Sequence, residues 1–129
     1  MSERDEARSA LLGAARKRTC KVVEVDGRQV EVRKPTVKTR GEIVAAGKPD
    51  AKGVPSDFSA FQVEAVVKCC YVPGTDERLF NRADAELLLD TECDGMVDEL
   101  SAAAIGLMGV DAEALKKTSA TPPSDNSSS

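Results

Sequence analysis

The stretch Tyr71–Val110, YVPGTDERLFNRADAELLLDTECDGMVDELSAAAIGLMGV, decides how this chain is read. It opens on a Pro73-Gly74 turn and a charged loop, 75–80 (TDERLF), whose Leu79 and Phe80 fold back on the core. Asn81 is placed to cap a helix over Ala83–Leu89. Asp94 is placed to cap a second helix, from Gly95 or Met96 to Met108. There Val97, Leu100, Ala104, Leu107 and Met108 recur at helical spacing and Gly109 marks the stop. A loop, a short helix, an acidic connector and a longer helix, in that order, describe a small helical interaction module.

That module needs something to close upon, and the preceding residues supply it. Phe58–Tyr71 is the most hydrophobic helix candidate, opened by Ser56 or Asp57 as cap. Phe58, Phe61, Ala65, Cys69 and Val72 mark one side, and Val63, Val66, Val67 and Cys70 widen it. Glu64 and Lys68 remain as a narrow polar stripe, so most sides of this helix are expected to be buried. Lys48–Pro55 is a loop, and Pro35–Ala46 is a helix opening with proline in its first turn. Cys20–Arg33 carries the strand signal. With Gly27-Arg28 as the two central turn residues, Val25 pairs with Val30 and Val23 with Val32, which sets four valines on one face. A lone hairpin is marginal, so that face must rest on helices.

Residues 3–18 form a charged helix candidate with Ala7, Leu11, Ala14 and Ala15 at helical spacing and Leu12 beside them. Asp111–Lys117 offers a last partly helical turn, and Ser119–Ser129 is low-complexity sequence expected to be disordered. The expected fold is α+β, mainly α: an N-terminal two-stranded hairpin packed on four to five helices. Residues 1–19 form a charged arm, 20–118 a single domain and 119–129 a tail.

Composition narrows the chemistry. Of 129 residues 41% are hydrophobic but only 3% aromatic, so the core is built from Ala, Val and Leu with three Phe. Each large apolar side chain contributes about 1.5–3 kcal/mol when buried. Such a core is moderately stable, and a partner or self-association is left to supply the rest. There is no His, hence no ready general base near neutral pH and no partner to activate Cys69 or Cys70 as nucleophile. Cys20, Cys69, Cys70 and Cys93 form no CxxC pair, and the N-terminus lacks an apolar secretory segment, which points to an intracellular chain. No apolar run approaches a membrane span. The net charge of −4 weighs against nucleic acid as the main ligand. Basic residues gather from Arg16 to Arg40 and acidic ones from Asp76 to Glu113, a polarity able to steer docking or head-to-tail assembly.

One segment imitates a metal site. In Asp90–Ser101, DTECDGMVDELS, Asp90, Glu92 and Asp94 stand at positions one, three and five of a calcium loop and Gly95 at six, with Asp98 at nine. The twelfth position requires a bidentate Glu, and here it is Ser101. The segment is therefore read as a helix connector whose acids favour the positive end of the next helix. No catalytic residue, metal or cofactor is expected.

Four segments together resemble a known family: VEVRKPTVKTRGEI (Val30–Ile43), FQVEAVVKCCYVPGTDERLF (Phe61–Phe80), ADAELLLD (Ala83–Asp90) and VDELSAAAIGLMGV (Val97–Val110). In this order, over Lys21–Val110, they resemble the tail assembly chaperones of long-tailed, non-contractile bacteriophages. The resemblance implies a non-catalytic protein of the host bacterial cytoplasm, absent from the mature virion. It implies binding of the tape measure protein, kept soluble while tail tube subunits are recruited around it. It also implies a short form, with contact to tail tube protein made through a frameshifted longer one. Exposed Ala/Leu helix faces suit such helix recognition. Leu79, Phe80, Leu87, Leu88, Leu100, Leu107 and Met108 are the candidate partner-facing or core-closing positions. Two other classes fit the same composition, a structural neck or head–tail connector component and a small intracellular adaptor.

Overall fold

A computed structural model describes residues 2–15 and 19–109, without the side chains of residues 14 and 15. The Asp111–Lys117 turn, the Ser119–Ser129 tail and residues 16–18 of the first helix candidate lie outside the described residues, as do the side chains of Ala14 and Ala15.

Five helices and a three-stranded antiparallel sheet make up the described chain. They are α1 (Glu3–Ala15), β1 (Cys20–Val25), β2 (Arg28–Arg33), α2 (Val37–Ala46), α3 (Phe58–Cys69), β3 (Cys70–Tyr71), α4 (Ala85–Leu89) and α5 (Met96–Leu107), with a 3-10 turn at Arg82–Asp84. The fold is α+β and mainly α, as expected, with one strand more than the hairpin.

The hairpin turns at Asp26-Gly27, not Gly27-Arg28. Both residues have positive φ (50° and 78°), the signature of a tight turn in which aspartate followed by glycine is favoured because its twist matches the strands. Val23 then faces Val30 and Val25 faces Arg28. This register differs from the expected one by an even number of residues, so side-chain alternation is preserved. Val30 and Val32 are buried and Val23 and Val25 pack against them, on the same face as anticipated.

β3 corrects the expected C-terminus of the central helix. α3 stops at Cys69, and Cys70-Tyr71 leave helical geometry to pair with β2, Val32 opposite Cys70 and Glu31 opposite Tyr71. The unpaired edge of β2 offers hydrogen bonds that a further helical turn would not satisfy. The chain then folds back: Leu79 N–H donates to the Cys70 carbonyl at 3.0 Å and Val72 N–H to the Glu77 carbonyl at 2.9 Å.

Helix starts follow side-chain caps. Thr36 caps α2, accepting from Thr39 N–H at 3.2 Å, so Pro35 stands before the cap and not in the first turn. Asp57 caps α3 through Ala60 N–H at 3.1 Å, and Asn81 caps the 3-10 turn leading into α4. Asp94, expected to cap α5, does not. Its φ is 61°, Gly95 takes the cap position, and the Asp98 carboxylate reaches back to accept from Asp94 N–H. The cap is supplied from inside the first turn of the helix.

α3 is the centre. Seven of its residues are buried, and α2, α4 and α5 pack around it while α5 also covers the hairpin. Gly47 permits the α2–α3 approach, since a β-carbon there would lie 3.0 Å from Phe61 Cβ and 3.1 Å from Pro55 Cβ. The described side chains of α1 are all exposed.

Candidate partner-binding surface

The candidate positions separate by burial. Leu100 (0% exposed) and Leu88 (4%) belong to the core, so of the two roles open to them they take the core-closing one. Phe80, Leu107 and Met108 are half-buried against that core. Leu79 (41%) and Leu87 (70%) reach solvent. Leu89, not singled out from the sequence, is as open as Leu79. A helix of five residues shows why: with Leu88 turned inward, its neighbours on either side turn outward. Three consecutive leucines in the sequence do not say which one is the anchor.

Leu79 and Phe80 form one wall of a pocket of about 250 Å³, completed by Val67, Lys68, Arg78 and Arg82. Beneath it Glu64 is buried yet satisfied, with Arg82 at 2.9 Å and Lys68 at 3.8 Å, while Lys68 also reaches Glu42 at 3.2 Å. The Glu64–Lys68 stripe is thus present, but its acid lies under the surface and requires the cation of Arg82, because a buried carboxylate without a partner is costly.

A larger open pocket, about 650 Å³, adjoins this one and shares Lys68 and Arg78 with it. Its wall is built on Arg33. The guanidinium lies 4.0 Å over the Tyr71 ring, bonds Glu31 at 2.7 Å and Asp76 at 3.1 Å, and donates to the Thr75 carbonyl. Glu31 in turn accepts from Gly74 N–H at 2.9 Å. Two charged residues of β2 therefore hold the turn after β3 in place. In the sequence Arg33 belongs only to a basic cluster; apart from neighbouring Glu31, its partners Tyr71, Thr75 and Asp76 stand some forty residues away and leave no local signal.

The connector 90–101 is tied to the core. Gln62 of α3 donates to Asp98 at 2.5 Å and to the buried Ser101 hydroxyl at 3.1 Å, which fastens α5 to α3. With its carboxylate engaged by Gln62 and by Asp94 N–H, Asp98 has a structural role. Among the described residues there is no group of three or more His, Cys, Asp or Glu side chains arranged to hold a metal.

Cys69 and Cys70 are not both helical, but both are buried, one ending α3 and the other opening β3. Burial pushes each thiol up to about 12, so neither supplies a thiolate near neutrality. Cys20 and Cys93 are exposed. The described surface offers exposed apolar side chains and charge.

No family model matches the sequence, and no curated protein is similar to it. The backbone does have a counterpart among solved structures, the bacteriophage HK97 tail assembly chaperone. The similarity has a TM-score of 0.54 at 14% sequence identity, and covers 78% of this chain and 98% of that one. This chain shares the fold of a phage tail assembly chaperone.

Proposed function

We propose that this chain is a phage tail assembly chaperone. It binds the tape measure protein in the host bacterial cytoplasm, keeps that long helical client soluble, and helps recruit tail tube subunits, the last through a longer form of the same chain. The observation that carries this reading is the shared fold, which runs over nearly the whole length of the HK97 protein. The surface supports it. Leu79, Leu87 and Leu89 are exposed, and Phe80, Leu107 and Met108 are half-covered, on a protein whose buried core is small. Apolar positions left open in this way suit the apolar face of a partner helix.

The test is co-expression with the very long helical open reading frame of the same genome. The client is expected to move from the insoluble to the soluble fraction and to copurify with this chain, and the chain is expected to be missing from purified virions. A client equally soluble without it would overturn the chaperone reading. Recovery of the chain from virions would favour a neck or connector component.

A further inference from the structure

The two pockets that meet at Lys68 and Arg78 differ in chemistry. One is apolar on one side, walled by Val67, Leu79 and Phe80. The other is lined by Arg33, Lys34, Lys68 and Arg78 with Asp76 as its acid. These four cations are not equivalent. Arg33 is engaged by Glu31, Asp76 and the Thr75 carbonyl, and Lys68 by Glu42 and Glu64. Lys34 and Arg78 are exposed and have no carboxylate partner among the described residues; the Arg78 Nε–H donates only to the Tyr71 hydroxyl, at 3.4 Å. Thr36, the cap of α2, and Thr39, in its first turn, complete the wall, and that turn carries no acidic residue to offset its positive end.

We propose that this double pocket is the docking site for an amphipathic helical segment of a protein partner that carries carboxylates beside its apolar face. An apolar side chain of the segment rests on Val67, Leu79 and Phe80, and an adjacent Asp or Glu is held by Lys34 and Arg78. The proposal rests on the chaperone reading for the helical nature of the partner, and adds the charge that partner must bear. Charge complementarity selects an acidic partner even though this chain is itself acidic, because the local field is set by the two unpaired cations. Nucleic acid fits less well. Arg33 already covers one face of the Tyr71 ring, and the net charge of −4 opposes a polyanion. The apolar half of the site would also go unused.

The site is tested with labelled amphipathic peptides of about 20 residues, long enough to hold a helix. One has Leu on one face and Glu on the other, a second replaces Glu by Lys, and a third keeps Glu but replaces Leu by Ser. Fluorescence anisotropy is expected to show the Leu/Glu peptide binding at least about tenfold more tightly than either of the others, the scale of a lost charged hydrogen bond. Lys34→Glu with Arg78→Glu is expected to reverse the Glu-over-Lys preference. Both residues are exposed, so the double variant is expected to keep the wild-type circular dichroism. Amide shift changes on the wild-type protein are expected around Val67, Lys68 and Phe80, and not at Leu87 or Leu89. Equal binding of the Glu and Lys peptides by the wild type overturns the charge assignment and leaves the chaperone reading intact. Binding of none of the three overturns the pocket as a docking site, and the chaperone reading then stands or falls on the co-expression test. A single-stranded oligonucleotide that binds more tightly than the Leu/Glu peptide, and loses its binding in the double variant, reassigns the pocket to nucleic acid.

Discussion

At the scale of single residues, the cysteines and Arg33 show where sequence is informative and where it is silent. Cys69 and Cys70 read from the sequence as small buried hydrophobes because they continue an apolar run, and the structure buries both. Their chemistry follows. An excess of thiol reagent at neutral pH is expected to label Cys20 and Cys93 promptly, and Cys69 and Cys70 only on unfolding; prompt labelling of all four would mean that the α3–β3 junction opens. The same burial sets an alkaline limit. Thiols raised to about 12 in the folded protein against an ordinary 9.0 favour folding below pH 9, and that contribution fades as pH climbs from there toward 12. Arg33, by contrast, was not legible as a hub. Three of its contacts lie on the 71–76 segment, and no periodicity in β2 announces a partner that far along the chain.

At the scale of elements, the strongly periodic or apolar segments were legible and their boundaries less so. α3 and α5 form where their apolar positions recur, and Asp57 and Asn81 cap as their side-chain chemistry suggests. The misses have one physical origin, competition between neighbouring solutions. Asp26-Gly27 competes with Gly27-Arg28 for the turn and prevails because two consecutive positive φ angles match strand twist. Cys70 and Tyr71 are suited to continuing a helix, but β2 needs an edge partner, a demand visible only in three dimensions. The turn offers a test. Gly27→Ala places a β-carbon at φ 78° and is expected to cost about 1–2 kcal/mol in urea unfolding, with the slope unchanged. No loss of stability would mean that the turn can be rebuilt on another pair of residues.

At the scale of the whole molecule, the candidate surface was half legible. The sequence offers the apolar residues of the 75–110 region as a set, but burial divides them, with Leu88 and Leu100 closing the core and Leu79 and Leu87 left outside. The split depends on how α4 rolls on α3, and in a five-residue helix no pattern fixes that roll. α1 carries a separate expectation. Its described side chains are exposed, so removal of residues 2–15 is expected to change the unfolding free energy by less than about 0.5 kcal/mol. A larger loss would show that α1 packs on the body of the domain.

The lid that α5 forms over the hairpin also has a meaning in time. Val30 and Val32 are among the first core residues to be synthesised, and the helix that covers their face is the last element of the described chain. At about 5–20 residues per second, a ribosome needs on the order of 4–15 s to pass from the end of β2 to the end of α5. For those seconds the valine face waits without its cover on a nascent chain, and a product ending before Met96 would keep it open permanently. The sheet of this small protein is therefore itself an unshielded apolar surface until its own synthesis is nearly finished.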